Sequence, residues 1–381
     1  MFKNNGTNIL CAVILILVLL FSLISVSAAA ASDGAISVSA KAATLYQPDT
    51  KRFVFTKNSK KRLSMASTTK IMTALVATEN LSSLDEAVVI DASAAKTEGS
   101  SAYLKQGEVV TAEELLYALL LQSANDAAVA LAVHISGSVE QFARLMNERA
   151  EKMGLVDTHF ANPHGLDAEE HYTTAEDLAI MAAEALENET VAAIASTYKK
   201  TLVNDERQRT YVNHNKLLYL YDGAIGVKTG YTDKSGRCLV GAAERGGVRL
   251  ISVTLDAPCD WDDHKRLLDY GFERFNSLTL AEVYEYSYDI PLINGEGDFL
   301  RVANTDELSL VCEGDVGEIK KSVNLPRFIS RSVKKGDIIG TVSFSVGGER
   351  VGVVNLLALE DKDTEKDKNN IFKRIFDRLF S

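Results

Sequence analysis

Residues 223–257, "GAIGVKTGYTDKSGRCLVGAAERGGVRLISVTLDA", contain three consecutive segments with the character of β-strands. These segments are "GAIGVKTGYT", "GRCLVGAAER" and "VRLISVTLDA", and Gly246-Gly247 joins the second to the third. A two-glycine connection is typical of a tight hairpin, because the central residues of such turns take positive φ. The stretch therefore predicts antiparallel strands.

A second hairpin is predicted near the other end of the same region. Residues 42–58, "AATLYQPDTKRFVFTKN", show a strand, a Pro-Asp turn and a second strand rich in Phe and Val. Helical periodicity lies between the two strand regions, and one helix begins with the pair Thr111 and Glu114, which has the spacing of a capping box. The predicted helices cover residues 68–80, 111–121, 124–135, 138–153 and 174–187.

This order of elements predicts an α/β (α+β) domain over residues 32–276, in which a helical cluster covers an antiparallel sheet built from both ends of the domain. From residue 277 the sequence alternates apolar and polar residues with Gly-rich turns and almost no helical period. We therefore expect a small all-β domain over 277–360.

The N-terminus predicts export. Lys3 precedes an uncharged run from Ile9 to Val26, followed by "SVSAAAASDG". This is typical of a secretory signal peptide over residues 1–31, cleaved after about Ala30. The run is also long enough for a retained transmembrane anchor, so both readings stay open, and both place the remaining chain outside the cytoplasm.

The C-terminus predicts a peripheral membrane contact. Residues 361–370 form a charged linker without apolar residues, which we expect to be flexible. The final segment, "IFKRIFDRLFS", places Ile371, Phe372, Ile375, Phe376, Leu379 and Phe380 on one side of a helix and Lys373, Arg374, Asp377 and Arg378 on the other. Such an amphipathic helix fits a membrane surface. Docking onto the β domain or a partner is the alternative.

Composition excludes other classes. The net charge is −11 over 381 residues, so no basic face is expected to bind nucleic acid. Cys11 lies in the predicted signal, and the other three cysteines form no Cys-x-x-Cys pair, so we expect neither a disulfide framework nor a zinc site, but buried thiols. These are Cys238, Cys259 and Cys312.

Three short motifs carry the predicted chemistry. In Ser67-x-x-Lys70 the two side chains share a helix face, so a neutral lysine can accept the serine proton. Ser123-Ala124-Asn125 forms a polar break between two apolar helices, and Lys228-Thr229-Gly230 lies on a predicted strand. In this order the motifs are those of serine acyl-transferases that react with penicillin.

With its flanking residues the chain resembles the low-molecular-mass penicillin-binding proteins, the serine-type D-alanyl-D-alanine carboxypeptidases of peptidase family S11. The resemblance runs from about Ala43 to the C-terminus, and it implies a penicillin-binding, β-lactamase-like transpeptidase domain. The stretches that carry it are "MASTTKIMTAL", "SANDAAVALA", "THFANPHGLDAEEHYTTAEDLA", "NHNKLL" and "GVKTGYTDKSGRCLV".

The resemblance implies a role for each matching residue. Ser67 would be the nucleophile, Lys70 its base, and Ser123 a proton relay to the leaving amine. Asn125 would hold the substrate and Lys70, and Lys228 would help to keep Lys70 neutral. The remaining implied substrate contacts are Thr229 to the terminal carboxylate, Tyr231 through its backbone N–H in an oxyanion hole shared with Ser67, and Gly230, which would let the substrate backbone approach.

One feature departs from the family. Many relatives carry an arginine after the last core strand, which is thought to help bind the substrate carboxylate. Here that stretch holds Asp260 and Trp261, and Arg266 belongs to the following helix. Arg237 is a substitute candidate.

Histidine and metal chemistry are not favoured. His164 and His214 raise the possibility of a Ser-His-Asp enzyme, but the chain has no Gly-x-Ser-x-Gly elbow and no His-Glu-x-x-His spacing. We expect "NPHGLD", residues 162–167, to be a turn that supports the cleft. No metal and no cofactor are predicted.

The expected activity is release of the terminal D-alanine from peptidoglycan stem pentapeptides, with β-lactams as inhibitors, at the outer face of the cytoplasmic membrane. Three alternatives remain at this level: an endopeptidase that cuts D-alanyl cross-links, a β-lactamase, and a penicillin-sensing or wall-binding module. No deacylating glutamate is identifiable for the second, and no signalling part for the third.

Overall fold

The protein is represented by a computed structural model, which describes residues 36–203, 207–293 and 298–363. The predicted signal peptide and the predicted amphipathic helix lie outside these residues. None of the helices in the described ranges is long and apolar enough to cross a bilayer.

Strands alternate with helices in the first part of the chain and follow one another in the last part. The described strands are β1 (Ala42–Gln47), β2 (Arg52–Lys57), β3 (Ala87–Val89), β4 (Val109–Thr111), β5 (Lys199–Val203), β6 (Gln208–Val212), β7 (Ala224–Thr232), β8 (Gly236–Arg245), β9 (Val248–Leu255), β10 (Phe275–Ala281), β11 (Ser287–Pro291), β12 (Phe299–Ala303), β13 (Leu308–Glu313), β14 (Ile319–Asn324), β15 (Ile338–Val346) and β16 (Glu349–Ala358).

A short 3₁₀ helix, Ala66–Thr69, leads directly into the first α-helix. The α-helices are α1 (Lys70–Asn80), α2 (Ala92–Ala95), α3 (Ala112–Leu121), α4 (Asn125–Ser136), α5 (Val139–Lys152), α6 (Ala175–Glu187), α7 (Glu189–Ala195), α8 (Leu217–Leu220) and α9 (Asp260–Phe272).

The main sheet is built from both ends of the helix-containing region, as the sequence predicts. Its strand order is β2-β1-β9-β8-β7, and every neighbouring pair is antiparallel. All six residues of β1 are buried, because β1 lies between β2 and β9 and α6 packs against it. The predicted two-glycine turn joins β8 to β9, with φ of +53° at Gly246 and +76° at Gly247.

The helices enclose an apolar core beside this sheet. Residues of α1, α3, α4 and α6 supply most of it, including Ile71, Leu116, Leu131 and Leu178, all fully buried. The predicted cap of α3 is present, since the Thr111 hydroxyl accepts from the Glu114 amide at 3.1 Å. This core fixes where the helix ends meet the edge of the sheet.

The last part of the chain is all-β, as predicted. Strands β11-β12-β16-β15-β14 form an antiparallel sheet, and β10 pairs with β13. This sheet has its own core, which contains Leu300, Val302, Val342 and Leu356, all completely buried. Strand β10 follows α9 after two residues, Glu273 and Arg274.

Candidate active site

The three motifs meet at the edge formed by β7. Ser67 lies in the 3₁₀ helix, which the chain enters through Ala66 at φ +48°, an unfavourable value for a residue with a Cβ. The hydroxyls around it satisfy the carbonyls of this turn: Thr68 donates to Met65 O at 2.6 Å and Thr69 donates to Ala66 O at 2.7 Å. The crowded Ser-Thr-Thr run therefore closes the turn that presents Ser67.

Lys70 is the centre of the site and is fully buried. Its Nζ lies 2.7 Å from Asn125 Oδ1, 2.5 Å from the carbonyl oxygen of His164 and 3.0 Å from Ser67 Oγ. A neutral amine has two N–H donors and one lone pair, whereas the first two neighbours are acceptors only. Both donors are thus used, and the lone pair is left for the Ser67 O–H.

Burial and charge favour this neutral form. Desolvation lowers the pKa of Lys70 well below that of a free lysine, and the charge of Lys228 lowers it further, while Asp126 opposes the shift. The acceptors that hold Lys70, an amide and a carbonyl, carry no net charge. The arrangement therefore favours the unprotonated amine, which is the form of a lysine that can accept a proton.

The "NPHGLD" turn supports the cleft, as predicted. Asn162 Oδ1 accepts from the amides of His164 at 3.2 Å and Gly165 at 2.7 Å, and so fixes the turn. Gly165 takes φ +91°, and a Cβ there would lie 2.0 Å from Ala66 O. Only glycine fits where this turn packs against the 3₁₀ helix.

Among the described residues, the His164 ring hydrogen-bonds to backbone and not to a serine or a carboxylate. Its Nδ1 lies 3.2 Å from the Leu166 amide, which donates to it. Burial, with the charge of Lys70, lowers the pKa of His164 to about 3. The residue contributes its backbone carbonyl, which positions Lys70.

The second motif lies between α3 and α4. Ser123 is 5% exposed and takes φ +61°, and Asn125 is the first residue of α4. Asn125 Nδ2 donates to Glu98 O at 2.7 Å, so the amide oxygen is turned towards Lys70. The motif thus supplies one wall of the site and one hydrogen-bond acceptor for Lys70 Nζ.

Sequence reasoning missed Asp126. This buried carboxylate accepts from the Ser101 hydroxyl at 2.6 Å and from the amides of Ala102 at 3.0 Å and Leu104 at 3.1 Å. It therefore fixes the 98–104 loop against α4, and that loop contributes Ser100 to the cleft. The signal in the sequence was an aspartate in the first turn of an otherwise apolar helix.

The third motif lies on β7, the edge strand of the main sheet. Lys228 is 1% exposed, its Nζ donates to Thr229 O at 2.9 Å, and burial lowers its pKa to about 7. A Cβ on Gly230 would lie 3.0 Å from Ser67 N. The missing side chain thus allows β7 to pack closely against the 3₁₀ helix, a protein contact that the sequence did not suggest.

These residues border a cleft of about 320 Å³. Ser67, Ser123, Thr229, Gly230 and Tyr231 line it, with Ser100, His214, Arg237, Cys238, Asp260 and Trp261. Lys70, Asn125 and Lys228 are buried behind its surface. A larger groove of about 850 Å³, beside Tyr46 and Phe53, holds no motif residue, so chemistry rather than size identifies the site.

The departure from the family pattern also lies at this cleft. Asp260 and Trp261 line it, and so does Arg237, whereas Arg266 on α9 contacts Asp263 instead. The prediction of buried thiols is wrong for Cys259, which is exposed just before α9, and holds for Cys238 and Cys312.

Comparison with known proteins gives the same picture over nearly the whole chain. A family model described as "D-alanyl-D-alanine carboxypeptidase" matches residues 26–259, and one described as "Penicillin-binding protein 5, C-terminal domain" matches residues 275–364. The D-alanyl-D-alanine carboxypeptidase DacF of Bacillus subtilis (strain 168) is 34% identical over 332 residues, covering 84% of this chain and 85% of the relative.

Solved structures agree with these relatives. Penicillin-binding protein 5 of Haemophilus influenzae superposes with a TM-score of 0.62 at 27% identity, over 86% of this chain and 98% of that one. The Streptomyces K15 DD-transpeptidase superposes with a TM-score of 0.60 at 35% identity, over 62% of this chain and 98% of that one.

Proposed function

Because the chain belongs to the D-alanyl-D-alanine carboxypeptidase family, we propose that Ser67, Lys70 and Ser123 are its catalytic residues. The chain is a serine-type D-alanyl-D-alanine carboxypeptidase of peptidoglycan metabolism, a hydrolase that carries a second, all-β domain. The proposal therefore concerns which residues perform the reaction, on which substrate, and where.

The observation that carries the assignment is the geometry of Lys70. With both N–H donors used by Asn125 and His164, its lone pair is left for the Ser67 O–H at 3.0 Å. Ser67 Oγ attacks the carbonyl carbon of the penultimate D-alanine, and its proton passes to Lys70 Nζ. The backbone N–H groups of Ser67 and Tyr231 stabilise the oxyanion.

Collapse of this intermediate completes acylation. The C–N bond breaks as Ser123 donates its proton to the leaving amine and takes in its place the proton held by Lys70, so that Lys70 is neutral again and free D-alanine departs. Water then attacks the ester on Ser67 with the help of the same base, which releases the shortened peptide and restores the serine hydroxyl. Burial of Lys70 and Ser123 supports these roles, since few waters compete for the transferred proton.

The substrate-binding assignments follow from the cleft lining and, for Asn125 and Lys228, from their position directly behind it. Thr229 binds the terminal carboxylate, Asn125 holds the substrate amide as well as Lys70, and the β7 backbone at Gly230 and Tyr231 aligns the peptide. Lys228, through its charge, lowers the pKa of Lys70. The natural substrate is the stem pentapeptide, and a β-lactam acylates the same serine.

Two variants test the assignment. Ser67→Ala should abolish both labelling by a fluorescent penicillin and D-alanine release from a diacyl-pentapeptide. Ser82→Ala, which removes an exposed hydroxyl bound to Glu86, is the matched control and should retain both. Equal labelling of the wild type and Ser67→Ala would refute the assignment.

The same assays separate the competing activities. Cleavage of a cross-linked dimer at a rate comparable to the pentapeptide would favour an endopeptidase. Fast turnover of a chromogenic β-lactam would favour a β-lactamase. A persistent acyl-enzyme without D-alanine release would favour a sensor or wall-binding module.

The site of action is also part of the proposal: the protein is secreted and attached to the outer face of the cytoplasmic membrane. The apolar and basic faces of residues 371–381, behind a charged linker, support attachment through the C-terminal segment. Truncation after Asp367 should release the protein from membranes, and Phe376→Glu in the full chain should weaken its sedimentation with anionic vesicles.

The N-terminal segment provides the alternative anchor. If the truncated protein still sediments with membranes, residues 9–26 hold it there. Intact-mass analysis of protein from the producing cell decides between the two, because cleavage after about Ala30 removes the segment.

A further inference from the structure

We propose that residues 325–337, the basic loop between β14 and β15, form a second membrane contact that binds an anionic lipid surface through exposed cations and Phe328. This inference rests on the proposed attachment of the protein to the membrane. It assigns to the β domain a part in that attachment which is separate from that of the C-terminal segment 371–381.

The basic loop concentrates positive charge in an acidic protein. It holds four cations and one acid, Asp337, whereas the whole chain has a formal net charge of −11. The Asp337 carboxylate accepts from the backbone amide of Lys334 at 3.1 Å and is thus directed at the loop itself. The cations, all exposed, are Arg327, Arg331, Lys334 and Lys335. No ion pair within the described residues involves these four side chains, so their charges are available to a ligand.

Two buried residues fix the backbone of the basic loop. The amide of Ile329 donates to Pro291 O at 2.9 Å, and Val333 forms two backbone hydrogen bonds of 2.8 Å with Lys362. Phe328, next to the buried Ile329, is 50% exposed. The loop therefore presents its aromatic ring and its cations to the solvent from a fixed backbone.

Exposed apolar side chains make a lipid surface the fitting partner. Besides Phe328, they include Val323 near the end of β14 and Ile338 at the start of β15. Cations attract anionic headgroups, and an apolar side chain gains free energy when it moves from water to the boundary between headgroups and acyl chains. A soluble polyanion would satisfy the cations but would offer the apolar side chains no such environment.

The path of the chain brings the basic loop to the same surface as the C-terminal segment. Lys362 pairs with Val333 inside the loop, and the chain continues through Asp363 towards residue 371. Even fully extended, the residues between Asp363 and Ile371 span less than about 30 Å. A membrane-bound C-terminal segment thus keeps the loop near the bilayer and raises its effective concentration there.

The test measures how the full-length protein partitions onto sedimented vesicles. One kind of vesicle is pure phosphatidylcholine, and the other contains equal parts of phosphatidylcholine and phosphatidylglycerol. The loop variant Arg327→Gln/Arg331→Gln is compared with the matched control Lys60→Gln/Lys61→Gln, which removes two exposed cations near β2.

The loop variant should lose affinity for the anionic vesicles alone. Each cation near such a surface changes the partition coefficient by about fivefold, so the loop variant should bind about 25-fold more weakly than the wild type. The control variant should stay within about twofold of the wild type. On pure phosphatidylcholine all three proteins should bind equally, because a neutral surface does not attract the cations.

Phe328→Ser tests the apolar part of the contact. It should weaken binding to both kinds of vesicle by roughly three- to tenfold, since about half of the ring is available to leave water. All these variants should be acylated by labelled penicillin at the wild-type rate, which verifies that they are folded.

Two outcomes would overturn the inference. Equal binding of the wild type and the loop variant to anionic vesicles would exclude the basic loop as a lipid contact. An equal loss in the loop and control variants would assign the effect to net charge. In both cases Phe376→Glu still reports on the C-terminal segment, so failure of the basic loop is distinguishable from failure of the proposed attachment.

Discussion

Replacement of Gly165 by alanine tests the contact that positions Lys70, the base in our proposal. Gly165 takes φ +91°, and an added Cβ would lie 2.0 Å from Ala66 O. Since real Cβ contacts shorter than 3.0 Å essentially do not occur, the turn must move by about 1 Å. His164 O, one residue away, would then leave hydrogen-bond range of Lys70 Nζ, which it now contacts at 2.5 Å.

The magnitude follows from two contributions. A non-glycine residue in the left-handed region costs about 1–2 kcal/mol, and steric overlap in a packed region costs about 1–3 kcal/mol. Gly154→Ala is the matched control, because Gly154 takes φ +73° with nothing within 4 Å of the added Cβ. Both variants carry the first cost, so the steric cost alone sets the difference between them. Gly165→Ala should therefore unfold about 2–12 °C below Gly154→Ala, at about 2–4 °C per kcal/mol.

Activity should separate the two variants further. Displacement of a catalytic group by about 1 Å lowers rates by roughly 100-fold, so acylation of Gly165→Ala by labelled penicillin should slow by about that factor. Gly154→Ala should acylate at the wild-type rate. Thermal unfolding followed by circular dichroism and the second-order acylation rate provide the measurements. If both variants behave alike in both assays, the packing of the 162–167 turn against the 3₁₀ helix is wrong.

Three further predictions concern titratable groups. Burial holds the pKa of Lys228 at about 7 in the folded state, below its unfolded value near 10.4, so the unfolded state binds more protons between these values and stability rises with pH there. Between pH 7 and 9.5 the free energy of unfolding of the wild type, measured with urea, should rise by about 3 kcal/mol relative to that of Lys228→Met. A constant difference between the two proteins would contradict this. Asp126→Asn should lower the melting temperature through loss of an acceptor, and should move the acid limb of acylation to lower pH, because the Asp126 charge raises the pKa of Lys70. In thiol titration of the native protein Cys259 should react promptly, whereas Cys238, whose pKa burial raises to about 11, should react only on unfolding, and equal rates would argue against the described burial.

The main elements of the fold follow from local patterns. Alternation of apolar residues identifies β7, β8 and β9, and the Gly246-Gly247 turn fixes the connection of β8 to β9, because both signals are contained in a few consecutive residues. The β5–β6 hairpin carried no such signal. Its residues are mostly exposed or half-buried, and contacts with distant acids such as Glu113 and Glu114 help to hold it in place.

The site was predictable where a motif names the residue and unpredictable where packing decides. Ser67, Lys70, Ser123 and Lys228 carry recognisable spacings. Gly230 was identified, but its contact with the 3₁₀ helix depends on how β7 docks, which no local pattern contains. Asp126 accepts hydrogen bonds from residues that lie 22 to 25 positions before it in the sequence, and Arg237 and Asp260 are 23 positions apart. These contacts therefore emerge only in three dimensions.

The hydrogen-bond acceptors around the buried Lys70 carry no net charge, and this affects how the enzyme should respond to the salt concentration of its medium. Dissolved ions screen exposed charges over about 8 Å at physiological ionic strength, but screen buried dipoles little. The acylation step, which depends on Lys70, should therefore be almost insensitive to added sodium chloride.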